Sequence, residues 1–267
     1  MKKPVIFLTA LLLTSCEKEL LIDYHDSEPL YVAEATLTQS GARVRLSTTQ
    51  SVGDNAIQSH VVENAVVVLS CKYYEFSDTL RYVGVGNYTS RTPGDPGITY
   101  DMDIYLGSRH FSSSSTMQEE PDVRSLRFVW KRMLTERMLF ADIRIQDDPD
   151  RNNYYFMQIY RNGVAYRWAV MSDEFNKGGE LQQLFQCTTE SDMDGGDEDA
   201  LRENDIIRME VRAIDRASYD YLYSLQVMGG AGTNPVRNFT GGCMGYFSAY
   251  SYVNLRQVFH RGEVEEE

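Results

Sequence analysis

The chain has 267 residues and a formal net charge of −13, because 26 Lys and Arg residues face 39 Asp and Glu residues. A surface this acidic repels nucleic-acid phosphates and anionic headgroups, so we expect no nucleic acid partner and no direct adhesion to anionic lipid. Four cysteines in a chain of this length exclude a disulfide-dense scaffold, so the core must come from packing.

The N-terminus, MKKPVIFLTALLLTSC, combines two lysines, a short apolar run and a cysteine. The run Pro4–Leu13 is too short to span a bilayer, which needs about 20 helical residues, and is typical of a secretory signal peptide. Small residues before Cys16 resemble the bacterial lipoprotein signal, in which the cysteine thiol is acylated. An ordinary secreted protein is the alternative. We predict a signal peptide over 1–15 and lipidation at Cys16.

Residues 16–29 are predicted to be a lipidated tether for a water-soluble body, since several acyl chains hold a protein on a bilayer. Glu17 and Glu19 resemble acidic residues that direct some lipoproteins to the outer face of the outer membrane. We therefore expect a lipid-anchored outer-membrane protein that faces the cell surface.

The three remaining cysteines, Cys71, Cys187 and Cys243, contain no Cys-x-x-Cys pair, and at most one disulfide can form among them. Each has apolar or aromatic neighbours, which favours buried free thiols.

Strand patterns dominate the first half of the chain. A hairpin is predicted around Gln39–Gly41, and the run "NAVVVLSCKYY" at Asn64–Tyr74 is apolar enough for a strand buried in a sandwich. Further strands are predicted at Leu80–Val85 and Ile98–Leu106. The even spacing predicts an immunoglobulin-like β-sandwich over 30–107. The serine-rich segment 108–122 is predicted to be a linker.

The second half predicts a larger antiparallel β domain over 123–260 with one or two short helices. Asn162-Gly163 is a hairpin signal, and Gly179–Cys187 is predicted to be a short helix. In Ile206–Ile214 the apolar residues alternate with Arg208, Glu210 and Arg212. The other predicted elements are strands Val123–Trp130, Met138–Gln146, Tyr154–Arg161, Val164–Met171, Cys243–Tyr252 and Leu255–His260, helix Arg216–Val227 capped by Asp215, and a frayed acidic tail over 261–267.

Several segments, chiefly in the second half, are similar to a known family. They are "SDEFN" at Ser172–Asn176, "NDIIRMEVRAIDRASYDYL" at Asn204–Leu222 and the Gly-Gly-x-x-Gly-Tyr-Phe pattern at Gly241–Phe247. With these segments the chain resembles the Bacteroidota lipoproteins grouped as domain of unknown function 4249. The resemblance implies location and architecture. It also implies an accessory role beside a TonB-dependent outer-membrane receptor.

Two acidic segments have the alternate spacing of calcium loops without the expected glycine at position six. The first contains Asp148, Asp150 and Asn152, and a capped turn is its alternative. The second, an acidic loop over Asp192–Glu203, contains more carboxylates, which either bind a cation or point into water. Its candidate ligands are Asp192, Asp194, Asp197, Asp199 and Glu203. We expect no other cofactor.

In "GYFSAYSY", Tyr246, Tyr250 and Tyr252 are predicted to share one strand face with Ser248. They could form a stacking platform for a sugar or peptide, or could lie under the neighbouring helix.

The chain shows no Gly-x-Ser-x-Gly or His-Glu-x-x-His motif, so we expect no enzyme and no catalytic residues. The leading hypothesis is a non-catalytic lipoprotein that serves a TonB-dependent nutrient transporter as an accessory or ligand-binding partner. The alternatives are a free-standing surface binder or adhesin for host protein or glycan and, third, an enzyme acting on surface polymers.

Overall fold

The computed structural model describes residues 28–50, 60–133, 136–228 and 235–267. Over these residues the protein is mainly β, as predicted, and forms two β-sandwiches with separate apolar cores. In the part described, no helix is long and apolar enough to cross a bilayer. The predicted signal peptide, Cys16 and most of the tether lie outside the described residues.

The first sandwich is immunoglobulin-like, as the strand spacing predicts. Its eight N-terminal strands form sheets of order β1-β2-β6-β5 and β4-β3-β7-β8, which correspond to the A-B-E-D and C′-C-F-G sheets of that fold. The strands are β1 (Tyr31–Thr38), β2 (Gly41–Thr48), β3 (Val66–Cys71), β4 (Phe76–Thr79), β5 (Arg81–Gly84), β6 (Asn87–Ser90), β7 (Thr99–Leu106) and β8 (Arg109–Thr116).

Alternating residues of these strands form the first core. In β7, Tyr100, Met102 and Ile104 are buried, while the residues between them face outward. Tyr100 lies at the start of the F-type strand, and its hydroxyl accepts a hydrogen bond from the backbone N of Asp95 at 2.8 Å. A tyrosine bonded in this way at the E–F corner is a recurrent feature of immunoglobulin-like sandwiches.

The second half repeats much of this strand order. Its sheets, β13-β10-β9-β17 and β12-β11-β14-β16, contain the A-B-E and C′-C-F-G order. The elements are β9 (Asp122–Met133), β10 (Glu136–Gln146), β11 (Tyr154–Arg161), β12 (Val164–Ser172), β13 (Glu180–Thr189), α1 (Glu190–Gly195), β14 (Ile206–Ile214), α2 (Arg216–Val227), β15 (Met244–Ala249), β16 (Ser251–Val258), a 3₁₀ turn (Arg261–Glu263) and β17 (Glu265–Glu266).

Strand β15 belongs to the first sandwich, although its sequence lies in the predicted domain 123–260. It runs parallel to β1, with Ala33 opposite Gly245 and Leu37 opposite Ala249. Phe247 and Ala249 are fully buried in the first core. The predicted single strand Cys243–Tyr252 is therefore two strands, β15 and β16, with Tyr250 between them. After Tyr250 the chain enters the second sandwich as β16.

Glycine permits this parallel pairing. Gly245 has a φ of +97°, and a Cβ there would lie 2.0 Å from the carbonyl oxygen of Ala33. Gly241, with a φ of +72°, similarly leaves only 2.3 Å between an added Cβ and the carbonyl oxygen of His110. Two of the three glycines of the Gly-Gly-x-x-Gly pattern, Gly241 and Gly245, thus allow the chain to approach the backbone of the first sandwich.

The serine-rich segment 108–122 is not mainly a linker, because Arg109–Thr116 forms β8 and pairs with β7 along its whole length. The inward side chains Ser113 and Ser115 are buried and meet polar groups from the second half of the chain. Ser113 donates to Asn238 Oδ1 at 2.6 Å, and Ser115 donates to Asp215 Oδ2 at 2.6 Å. The polar composition therefore reflects partners that are distant in sequence.

Three other predictions are corrected. The predicted helix Gly179–Cys187 is a strand from Glu180 onward, within β13, where Leu181 and Phe185 point into the second core. The acidic loop Asp192–Glu203 begins inside helix α1. The tail 261–267 is not frayed, since β17 pairs in parallel with β9, and the carboxylates of Glu265–Glu267 bind Arg127, Lys131 and Arg137.

Candidate functional site

Helix α2 covers the three tyrosines that were candidates for a stacking platform. Tyr246 stacks on Tyr221 of α2, with ring centroids 5.1 Å apart. Tyr250 is 7 % exposed, and burial raises its pKa to about 12 although Arg212 nearby opposes the shift. Tyr252 packs against the same cluster. The structure therefore supports the alternative, a sheet face beneath the helix.

The first calcium candidate is a turn held by its own side chains. Asp148 accepts hydrogen bonds from the backbone N of Asp150 (3.0 Å) and from Arg151 Nε (2.8 Å). The backbone hydrogen bond, followed by the bond from Arg151, lowers the pKa of Asp148. Asn152 Oδ1 accepts from Lys177. This is the capped turn that the sequence left open.

The second candidate set is spread over several elements. Asp192 and Asp194 lie in α1, whereas Asp197 Oδ1 accepts from the backbone N of Asp199. Glu203 accepts from His260 Nδ1 at 2.7 Å and from the backbone N of Arg261 at 2.8 Å. Among the residues that the structure describes, no group of three or more His, Cys, Asp or Glu side chains could hold a metal ion.

The cysteines Cys71, Cys187 and Cys243 are free and buried, as the sequence predicts. Burial raises the pKa of Cys187 and of Cys243 to about 12, so these thiols are protonated at neutral pH. They are structural and not nucleophilic groups.

The outer face of the sheet β12-β11-β14-β16 is half covered by helix α2 and half open to solvent. Side chains of α2 cover Phe156, Val170 and Ile214. Beyond the helix, one residue on each of four adjacent strands forms a row in register: Trp168, Gln158, Glu210 and Asn254. Neighbouring strands are about 4.8 Å apart, so the row is about 14 Å long. Next to it, Tyr160 lies opposite Arg208.

These six residues, Trp168, Gln158, Glu210, Asn254, Tyr160 and Arg208, are called the tryptophan face below. Arg208 lies over the ring of Tyr160, with 3.7 Å between the guanidinium carbon and the ring centroid. Arg208 Nη1 also donates to Glu210 Oε2 and to Asn254 Oδ1, both at 2.8 Å. Burial alone would lower the pKa of Arg208, but its bonds to Glu210 and Tyr160 raise it, so the side chain stays charged.

Three more hydrogen bonds fix the row. Arg212 Nε donates to Glu210 Oε1 at 2.6 Å, so both oxygens of Glu210 are engaged. Gln158 Nε2 donates to the carbonyl oxygens of Ile159 and Arg167 at 2.8 and 2.9 Å. These bonds hold the polar side chains in one conformation, which reduces the entropy that a ligand must overcome.

Trp168 ends the row at the edge strand β12. Its ring stacks on that of Phe156 at 5.9 Å between centroids and 25° between planes, and 40 % of the residue remains exposed. Trp168 also lines a cleft of about 570 Å³ between β12 and β13, together with polar residues that include Arg167, Gln183, Gln186, Asp192, Asp197 and Gln226. The arrangement joins an accessible, supported aromatic ring to fixed hydrogen-bonding groups.

Sequence comparison places the chain in a family whose model, described as "Domain of unknown function (DUF4249)", matches residues 17–256. The chain belongs to the DUF4249 family. No curated protein matches this member of the DUF4249 family. Among solved structures, a two-domain fibronectin type-III segment of chicken tenascin aligns over 87 % of this chain and all of its own. The identity is 9 % and the TM-score is 0.25, values too low to support a conclusion about fold or function.

The amino-acid sequence of this DUF4249 protein predicts part of the tryptophan face. The alternation in β14 places Arg208, Glu210 and Arg212 on the side opposite the core. The same period of two in β11 predicts that Gln158 and Tyr160 share a face. Sequence reasoning could not align these strands with Trp168 or Asn254, because register between strands depends on tertiary pairing.

Proposed function

We propose that this DUF4249 protein is a non-catalytic Bacteroidota lipoprotein, anchored in the outer membrane through acylated Cys16, that assists a TonB-dependent nutrient transporter. The observation that supports a binding role is the tryptophan face. Its polar side chains are held by internal hydrogen bonds, while Trp168 stays 40 % exposed. The sequence motif ending at Cys16 supports the anchor, and the resemblance of the chain to TonB-associated lipoproteins supports the partner.

The pairing of β15 with β1 supports a body that presents this face in a fixed orientation. The connection between β14 and β16 crosses to the first sandwich and returns. Helix α2, inside this connection, contacts the first sandwich through Ser218, which donates to the carbonyl oxygen of Phe247. It contacts the second through Gln226, which accepts from the backbone N of Val170. A body of this kind holds the tryptophan face in a fixed position relative to the first sandwich, which follows the proposed tether in the chain.

The anchor and the partner are tested separately. Cys16→Ser should move the protein from the membrane fraction to the soluble fraction, and mass spectrometry of the native protein should find an acylated Cys16. Affinity capture of the native protein in mild detergent should recover an outer-membrane β-barrel receptor. Repeated capture without such a receptor would contradict the transporter role and favour a free-standing surface binder.

A further inference from the structure

We infer that the tryptophan face binds a neutral oligosaccharide. The inference rests on the proposed binding function and names its ligand class. A sugar ring offers an apolar face of C–H groups and a rim of hydroxyls, each of which both donates and accepts hydrogen bonds. Trp168 supplies the exposed aromatic surface, and Gln158 and Asn254 supply polar groups in the same row.

The unused hydrogen-bonding atoms in this row match hydroxyl groups. Gln158 donates through Nε2, and its Oε1 has no partner in the described part of the chain. Asn254 accepts through Oδ1, and its Nδ2 has no partner within the same residues. The row thus presents one free acceptor and one free donor on either side of Glu210. A ligand with hydroxyl groups can satisfy both.

The edge of the sheet disfavours an extended peptide as ligand. A peptide added as a strand would bond to the outward backbone groups of β12. Gln226 Oε1 of α2 already accepts from the backbone N of Val170 at 2.8 Å. Across the cleft, Arg167 Nε donates to the carbonyl oxygen of Gln186 at 3.3 Å. Gln226 thus occupies one backbone group of β12 that a peptide strand would need, and Arg167 occupies one on β13 across the cleft.

The charge of the chain disfavours anionic polymers. At a formal charge of −13 the protein repels polyanions, and the guanidinium of Arg208 is engaged by Glu210 and Asn254. The length of the row, about 14 Å, suits an oligosaccharide of several rings better than a single sugar.

The test uses the full chain in detergent micelles and three probes: cellohexaose, xylohexaose and mannohexaose. The chain has two tryptophans, and Trp130 is 5 % exposed in the second core. In Trp130→Phe, Trp168 is the only tryptophan, so binding should change its fluorescence. Calorimetry should show saturable binding of at least one hexaose. Trp168→Ala and Asn254→Ala should each weaken it about tenfold or more, a loss typical of a central contact.

Phe175→Ala is the matched control, because Phe175 is an aromatic residue 95 % exposed and outside the tryptophan face. It should bind like the native protein. No binding of any hexaose at millimolar concentration would overturn the inference, and so would binding that Asn254→Ala and a folded Trp168→Ala leave unchanged. Receptor capture without sugar binding refutes this inference alone, whereas sugar binding without receptor capture refutes the transporter role alone.

Discussion

Asp215 accepts a hydrogen bond from Ser115 Oγ at 2.6 Å, which links the start of α2 to strand β8 of the first sandwich. The same oxygen, Oδ2, accepts from the backbone N of Thr116 at 3.0 Å. The other oxygen, Oδ1, caps α2 by accepting from the backbone N of Ser218 at 2.9 Å. One carboxylate thus fixes the helix that divides the outer sheet face into its covered and open halves.

Asp215→Ala should lower the free energy of unfolding by about 1–2 kcal/mol, because the variant loses the N-cap of α2 and the bonds to β8. Chemical denaturation measures the change. Asp220→Ala is the control, since Asp220 lies partly exposed in the same helix and forms an ion pair with Arg216 of that helix. The two substitutions Asp215→Ala and Ser115→Ala should be non-additive in a double-mutant cycle. Additive losses would contradict a direct link.

Gly245→Ala should destabilise the first sandwich by about 2 kcal/mol or more, because an added Cβ would lie 2.0 Å from the carbonyl oxygen of Ala33 and the φ of +97° disfavours a side chain. Gly262→Ala is the control, since a Cβ there meets no atom within 4 Å. Thermal unfolding measures both. If Gly245→Ala melts like Gly262→Ala, then β15 does not pair with β1 in solution.

Removal of Glu265–Glu267 should lower the melting temperature at low salt. The deletion removes β17 and the ion pairs of its carboxylates with Arg127, Lys131 and Arg137. The difference from the native chain should shrink as salt is added, because exposed ion pairs are screened. A deletion without effect at any ionic strength would show that the tail is free in solution.

Arg127→Ala should lower the free energy of unfolding more than removal of Glu265–Glu267 does. Arg127 pairs with Asp142, whose side chain is fully buried, at 2.9 Å. Loss of Arg127 leaves the buried Asp142 carboxylate with fewer hydrogen-bond partners and no access to water, and an incompletely paired buried charge destabilises the folded state. Comparison of the two variants by denaturation tests whether Arg127 acts mainly toward the interior or toward the tail.

The ion pair of His260 and Glu203 should give a pH-dependent contribution to stability. The hydrogen bond between them raises the pKa of His260 above its ordinary value of 6.5 and lowers that of Glu203 below 4.5. The His260 contribution is complete below pH 6.5 and is lost as the pH rises through its folded pKa. The Glu203 contribution is complete above pH 4.5 and is lost as the pH falls through its folded pKa.

The stabilising effect of the pair is therefore largest between about pH 4.5 and 6.5. His260→Gln should differ most from the native protein in this window and least at high pH, which melting curves across pH 4–9 would measure. A difference that does not depend on pH would contradict the pair.

Local sequence patterns predicted many of the elements well. Ile206–Ile214 and Arg216–Val227 have the predicted bounds, because the alternation in the first and the helical spacing in the second are local properties. The hairpin at Asn162-Gly163 is also confirmed, with both residues at positive φ. In contrast, Gly179–Cys187 begins at the second glycine of a pair and has mixed polarity, and tertiary pairing with β10 makes it a strand.

The candidate site was predicted only in part. The sequence gives the polar alternation of Arg208 and Glu210, but it left open whether Tyr246 and Tyr250 form an exposed platform or lie under α2, and the structure supports the second. Whether a strand face is open or covered depends on which element packs on it. That packing joins residues more than fifty positions apart, such as Phe156 and Tyr221, and no local pattern specifies it.

By itself, the sequence determined the β-rich class, the buried free thiols and most strand positions, because alternation and hydrophobicity act over a few neighbouring residues. Only the tertiary structure decided that β15 completes the first sandwich, that the serine-rich segment is a strand with distant polar partners, and that Trp168 lies in register with Asn254. These features depend on strand register and on contacts between the two halves of the chain. Register and long-range contacts are set by the packing of the whole chain, so no local pattern specifies them.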